Sequence, residues 1–294
     1  MSHSILDIIG NTPLVISKVI NTNPKVKLFF KLEGNNPGGS VKDRAALNMI
    51  KEGLERGDFD VDSKLIEATS GNTGIALAMI AGIYGLDIEL VMPENSTKER
   101  VQTMRAYGAK VTLTPADVGI EGARDYAELK VKEEGYIMIN QFSNDDNWKA
   151  HYKSTGPEIW RDTQGEITHF VSSMGTTGTI MGTSTFLKEN NSRIQIVGVQ
   201  PADEAKIPGI RKWPQEYLPK IFDPTKVDTV MEVNEQEARD MAKRLAKEEG
   251  IFAGMSSGGA AAASVKLAES LEEGIVVSIV CDRGDRYLSS DLFD

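Results

Sequence analysis

Lys64-Leu65-Ile66-Glu67-Ala68-Thr69-Ser70-Gly71-Asn72-Thr73-Gly74 runs from a short apolar segment into a turn of hydroxyl, amide and glycine residues, and Gly74–Tyr84 continues it with helical spacing. Strand, tight turn and helix in succession are the repeating unit of a parallel α/β sheet. The unit recurs along the chain. Strands are expected at Lys27–Glu33, Lys64–Thr69, Ile88–Met92, Lys110–Leu113, Tyr136–Asn140, His169–Ser173, Ile194–Val199, Val227–Val233 and Ile275–Cys281. Helices are expected between them at Val41–Arg56, Gly74–Tyr84, Lys98–Tyr107, Gly122–Glu134, Gly178–Glu189, Asn234–Glu249 and Gly258–Glu269. The alternation predicts an α/β fold whose parallel sheets carry helices on both faces. Two polar stretches break the rhythm: Ser143–Trp148, a candidate domain boundary, and the proline-rich Ala202–Asp228, read as a loop.

A chain of 294 residues is long enough for about two domains, and 40% apolar with 26% charged residues is a globular composition rather than a disordered one. Forty-three acidic side chains against 33 basic give a net charge of −10, which repels phosphate backbones and anionic bilayers, so nucleic acid is not an expected partner. The single cysteine, Cys281, cannot form an internal disulfide and fits a reducing compartment. Met1–Gly10 lacks a basic start and a small-residue cleavage site, and the apolar stretch Gly74–Leu86 is too short and glycine-rich for a bilayer span. A soluble cytoplasmic protein is expected.

Strand-to-helix turns are where such sheets collect ligands. Three stand out: Thr69-Ser70-Gly71-Asn72-Thr73-Gly74, Met174-Gly175-Thr176-Thr177-Gly178-Thr179 and Gly254-Met255-Ser256-Ser257-Gly258-Gly259. Free N–H groups at a helix start, with hydroxyls beside them and no side chain on glycine, favour an anion; the same residues also serve tight turns and helix caps on their own account. None has a P-loop lysine or G-x-G-x-x-G spacing, which sets ATP and NAD aside. Gly254 to Gly258 matches a hydrolase nucleophile elbow, but that fold needs a later histidine, and His3, His151 and His169 all precede Ser256. These scattered histidines and one cysteine also offer no metal-ligand spacing, so no metal is expected. In Gly34-Asn35-Asn36-Pro37-Gly38-Gly39-Ser40-Val41-Lys42-Asp43-Arg44, Lys42 falls in the first turn of a helix, where the dipole disfavours a cation. That placement suits an amine kept neutral for imine formation; a solvated lysine beside a capping Ser40 is the other reading.

With these residues assembled, the chain resembles the fold type II pyridoxal-phosphate enzymes, and among them the cysteine synthases (O-acetylserine sulfhydrylases). The likeness runs over essentially the full length, through Ile9-Gly10-Asn11-Thr12-Pro13-Leu14, the Lys42 segment and the three turns. Ile207-Pro208-Gly209-Ile210-Arg211-Lys212-Trp213 and Cys281-Asp282-Arg283-Gly284-Asp285-Arg286-Tyr287 are similar to the B-type branch, apart from Lys212 where a second arginine is usual. The resemblance implies two domains, each with a mostly parallel twisted sheet flanked by helices: 1–40 plus 148–294, holding the cofactor phosphate, and a smaller mobile one, 41–147, holding the substrate carboxylate.

It further implies that Lys42 carries pyridoxal 5′-phosphate as an imine and acts as general base. Gly175, Thr176, Thr177, Gly178 and Thr179 would cradle the phosphate, Asn72 would bond the 3′ oxygen and Ser256 would face the pyridine nitrogen. Thr69, Ser70, Thr73 and Gln141 match positions that bind the substrate carboxylate. The implied reaction is β-replacement of O-acetyl-L-serine by sulfide, through an α-aminoacrylate, to give cysteine and acetate. Thiosulfate would give S-sulfocysteine, with Arg211 helping to admit the dianion or else lying in a surface ion pair. A homodimer is expected from the family. Another fold type II lyase, such as a cystathionine β-synthase or a serine or threonine dehydratase, and a non-catalytic regulatory binder of the cofactor remain open. Trp213 and Tyr217 are expected to pack beneath a loop rather than wall the cleft. Cys281, Met174 and Met255 are expected to fill the core.

Overall fold

The computed structural model describes residues 4–69 and 71–294. Among them the strands form two sheets. The first contains β1 (Leu14–Ile16), β2 (Val26–Leu32), β7 (His169–Ser173), β8 (Gln195–Pro201), β9 (Thr229–Val233) and β10 (Gly274–Val280), in the order β1-β2-β10-β7-β8-β9. The second contains β3 (Lys64–Ala68), β4 (Asp87–Pro93), β5 (Lys110–Thr114) and β6 (Ile137–Met138), in the order β5-β4-β3-β6. Every pairing is parallel except β1 on β2, so the expected α/β class holds.

Helices cover both faces of each sheet, which is why the central strands are buried along nearly their whole length rather than at alternate positions. On the smaller sheet, α1 (Lys42–Arg56), α2 (Asn72–Tyr84) and α3 (Lys98–Ala106) pack through Met49, Ile50, Ile75, Leu77 and Met104 on one side. Ile120, Ala123 and Ala127 of α4 (Gly119–Glu134) meet Ile66, Ala68 and Val91 on the other. On the larger sheet, α8 (Glu235–Glu249) and α9 (Met255–Ser270) bury one face, while α6 (Thr155–Asp162) and α7 (Gly178–Asn190) bury the opposite one. Met174 and Met255 sit in these two cores, at 5% and 4% exposure, as expected of gap-filling methionines.

Three departures from the sequence reading matter for the site. Ser143–Trp148 is not a plain loop: α5 (Asp145–Lys153) begins there, with the Asn144 side chain accepting from the Asp146 amide at 2.9 Å. The strand expected at Tyr136–Asn140 is only two residues long. Short β1, an antiparallel edge strand, carried too few residues to show a period.

Strand order reverses at one place in each sheet. β7, β8 and β9 step outward one way while β10 lies on the other side of β7; likewise β3, β4 and β5 step one way and β6 lies across β3. Such switch points leave a crevice beyond the carboxyl ends of the strands, because the connections part in opposite directions. The turns after β3, β6, β7 and β10 all open into one cavity.

Candidate active site

Lys42 is the first residue of α1, as its position in the sequence suggested. The loop before it is pinned to the end of β10, where the Val41 amide donates to the Cys281 carbonyl at 2.8 Å and Ser40 bridges Asp282. The side chain enters a cavity of about 620 Å³ that it shares with Thr69, Asn72, Thr73, Gln141, Gly175, Thr176, Thr179, Arg211, Ser256 and Cys281. Burial lowers its ammonium pKa, against the opposing pull of the Cys281 thiol and the Asp282 carboxylate. Desolvation and a helix N-terminus act in the same direction, toward a neutral amine.

The smaller sheet supplies one wall. The Thr69 hydroxyl accepts from the amides of Gly71 and Gly74, both at 3.1 Å, and so seats the start of α2. Thr73 donates to Gln141 Oε1 at 2.8 Å, and Gln141 Nε2 donates to the Ala68 carbonyl at 3.0 Å. Thr69, Thr73 and Gln141 therefore lie together at the N-terminal end of α2, the arrangement that suits a carboxylate. Ser70 lies outside the described residues. Asn72 points across the crevice: its Nδ2 donates to Asp282 Oδ2 at 2.7 Å, and its Oδ1 accepts from Arg286 Nη1 at 2.6 Å.

The larger sheet supplies the other. After β7 the chain turns through Gly175, Thr176 and Thr177 into α7. Asn147 on α5 donates to the Thr176 hydroxyl at 3.1 Å, and a side chain at Gly178 would collide with the same Asn147 amide. Thr177, the N-cap, sits at φ +72, and its hydroxyl is buried without a partner. Thr177 and Gly178 lie behind the cavity wall rather than on it. Thr179 lies 3.4 Å, Oγ1 to Nε2, from His151, whose burial holds its pKa well below the usual imidazole value. Ser256, in the first turn of α9 and 3% exposed, lines the cavity together with Cys281.

Trp213 departs from expectation, and Cys281 has a second face. Trp213 walls the cavity: its indole N–H requires a partner and finds the Gly175 carbonyl at 2.7 Å, while the ring meets Phe142 edge-on at 5.5 Å. Tyr217 does pack, under the Arg124 guanidinium at 5.4 Å. Cys281 packs against the core as expected but also lines the cavity, because β10 ends one residue earlier; burial pushes its thiol up to about 11. Arg211 reaches over the Trp213 ring at 5.7 Å and comes within 3.8 Å of Glu121 on α4, joining the loop to the smaller sheet's helix. Sequence reasoning gave no role to Asp282, Arg286 or Asn147. Their signal is charge or amide near a turn, which is too common to single out; only the fold brings Arg286 to Asn72, 214 positions away.

An amine with a lowered pKa, two helix N-termini lined by hydroxyls and amides, and a hydroxyl between them suit a ligand with an aldehyde, a phosphate and an aromatic nitrogen. Gly175, Thr176 and Thr179 in particular, on the cavity wall at the start of α7, fit a phosphate. Among the described residues no helix is long and apolar enough to cross a membrane.

Comparison with known proteins agrees with this geometry. A family profile described as pyridoxal-phosphate dependent enzyme matches residues 5–282. Cysteine synthase B of Pseudomonas aeruginosa is 57% identical over 291 residues, 99% of this chain and 97% of its own. A crystal structure of cysteine synthase from Entamoeba histolytica superposes with a TM-score of 0.93 at 38% identity, covering 100% of this chain and 91% of that one. The O-acetylserine-dependent cystathionine β-synthase of Helicobacter pylori superposes with a TM-score of 0.92 at 35% identity, covering 100% and 99%.

Proposed function

Since the chain belongs to the pyridoxal-phosphate-dependent enzymes, and within them to the cysteine synthases, we infer that its cavity replaces the acetoxy group of O-acetyl-L-serine with sulfide. The products are L-cysteine and acetate. The observation that carries the reading is the placement of Lys42: an amine in the cavity wall at the start of α1, its pKa lowered by burial, between two further helix N-termini that offer separate anion sites.

When bound, pyridoxal phosphate supplies an electron-accepting ring that stabilises negative charge at the substrate Cα. The residues of the chain do the rest. Lys42 would hold the cofactor aldehyde, and its amine would remove the substrate Cα proton and later return one. Gly175, Thr176, Thr177, Gly178 and Thr179 would hold the phosphate at the start of α7, and Asn72 would hold the 3′ oxygen. Ser256 would face the ring nitrogen with a hydroxyl, which does not force that nitrogen to be protonated and suits loss of a leaving group from the substrate better than storage of charge. Thr69, Ser70, Thr73 and Gln141 hold the substrate carboxylate.

Residues 1–40 with 148–294, and 41–147, act as two domains that close on the carboxylate, and the protein works as a cytoplasmic homodimer. Thiosulfate serves as a second sulfur donor, with the Arg211 guanidinium, half-exposed at the cavity mouth, meeting its oxyanions. Arg211→Ala is expected to cut thiosulfate turnover at least about tenfold, the size of a charge-assisted hydrogen bond, while leaving sulfide turnover within about twofold; equal losses on both donors remove that role. The Helicobacter pylori likeness favours one second reading, homocysteine as the acceptor.

Borohydride reduction of the holoenzyme with peptide mapping should label Lys42. O-acetylserine should then change the cofactor absorbance, sulfide should restore it, and cysteine should appear. Restoration by homocysteine but not sulfide would select the second reading, and a spectrum unmoved by O-acetylserine would rule out both.

A further inference from the structure

Glu67 takes no part in the chemistry above, yet it is a carboxylate only 1% exposed, two residues before Thr69. Its neighbours on β3, Leu65 and Ile66, show what the position would tolerate at no electrostatic cost. The β6 ladder ends beside it. Ile139 still donates to the Ile66 carbonyl at 3.2 Å, but Asn140 turns away at φ +57. The amides of Asn140 and Gln141 donate instead to Glu67, at 2.6 Å to Oε2 and 3.2 Å to Oε1. One side chain thus replaces the strand that β6 abandons, which is why that strand stops at two residues. Burial lifts the Glu67 pKa to about 7, against the two amides, the Gln141 side chain and the Arg124 charge from α4.

We propose that Glu67 is the positioning residue of the substrate-carboxylate pocket: by accepting both amides it sets the Asn140–Gln141 turn, and through Gln141 it fixes the Thr73 side of the pocket. The chain of bonds is continuous, from Glu67 to the Gln141 backbone and from the Gln141 side chain to Ala68 and Thr73. It rests on the reading of Thr69, Thr73 and Gln141 as the carboxylate site.

The test is a double-mutant cycle of Glu67→Gln and Gln141→Ala in the holoenzyme, with affinities for glycine and for methylamine read from cofactor absorbance. Both ligands carry the amine; only glycine carries the carboxylate. Glu67→Gln keeps the shape but turns one acceptor into a donor, so glycine affinity is expected to fall about tenfold, as for one lost hydrogen bond, with methylamine unchanged. KM for O-acetylserine should rise in parallel with little change in kcat. Gln141→Ala should weaken glycine similarly, and the double variant little further, because both act through one side chain. Glu67→Asp, which keeps a carboxylate, should recover part of the loss, and it carries the same comparison where the glutamine variant does not fold. Equal losses of glycine and methylamine, or additive losses in the cycle, overturn the proposal. So does a Glu67→Gln enzyme with normal glycine affinity while Gln141→Ala is impaired. Should Gln141→Ala also bind glycine normally, the carboxylate-site reading fails and the role of Glu67 fails with it.

Discussion

Thr177 carries two local penalties. A β-branched residue at φ +72 is strained by about 1–2 kcal/mol, and a buried hydroxyl without a partner costs about 1–3 kcal/mol more. Both fall at the N-cap of α7, where backbone N–H groups and the helix dipole favour an anion. Folding alone gives no reason for that choice, whereas a phosphate does, by taking the amides that this turn presents. Glycine at this position would relieve the strain and delete the orphan. Thr177→Gly is therefore expected to leave the apoprotein as stable or more so, while pyridoxal-phosphate affinity drops about two- to fivefold, because a freer turn holds those amides less firmly. Calorimetry of apo and holo forms checks it, and a variant destabilised equally in both would mark Thr177 as purely structural. Lys42 differs in kind, because in the proposed reaction it is the base. Lys42→Ala should lower turnover by roughly 10²–10⁴-fold, the usual contribution of a placed general base, with little change in melting temperature.

The elements that were legible in the sequence are those whose local signals and tertiary roles coincide. β3, the turn after it and α2 show their boundaries in glycine and hydroxyl residues, and Lys42 betrays itself by standing at the wrong end of a helix dipole. α5 was hidden because its first residues, Asn144, Asp145 and Asp146, are polar and read as loop, although a capping amide followed by two acids is also a helix start. Its buried face is small and polar, Asn147, Ala150 and His151, so no apolar period marks it. Such a face suits close helix contact. Gly182 on α7 lets the backbones touch: a Cβ there would collide with the Trp148 carbonyl and stand 2.7 Å from the Tyr152 amide nitrogen. Since backbone cannot yield as a side-chain tip can, Gly182→Ala should destabilise by about 1–3 kcal/mol. Because α5 also places Asn147 against Thr176, the same substitution should weaken the cofactor site, unlike an alanine on the exposed face of α8. A denaturation midpoint shifted with cofactor affinity intact would separate packing from site geometry. Strand β6 failed for a different reason: its residues look like a strand, and only Glu67, 73 positions earlier, makes leaving the ladder cheaper than continuing it.

At the scale of the molecule, the N-terminal arm is held to both α1 and α6 by buried charge. Arg44 lies between Glu33 at 2.7 Å and Glu158 at 2.6 Å, and Lys31 meets Glu158 at 2.8 Å. The Ile9–Leu14 motif joins this network rather than the cavity: Gly10 donates to Asn36, Asn11 to Glu158, and the Thr12 hydroxyl to Glu33. A motif recognised only as part of a resemblance thus has a physical use, locking the arm against the helix that begins with Lys42. Burial pushes the Glu158 pKa up, but the hydrogen bonds and charges of Arg44 and Lys31 outweigh it and bring it down to about 2 from 4.5. A carboxylate held lower in the folded than in the unfolded chain contributes stability that is fully present above 4.5 and is lost as pH falls toward 2. The melting temperature should therefore decline across that window, by an amount equivalent to roughly 3 kcal/mol from this group. Glu158→Gln should be less stable at neutral pH by about 3–5 kcal/mol, since Lys31 would keep the Thr12 carbonyl at 2.6 Å but lose its short carboxylate contact, leaving the buried ammonium to the longer Asp162 contact at 3.5 Å. The variant should also show a shallower acid decline, because the titrating group is gone; an acid slope identical to that of the parent would mean the arm is held by packing and not by this charge cluster.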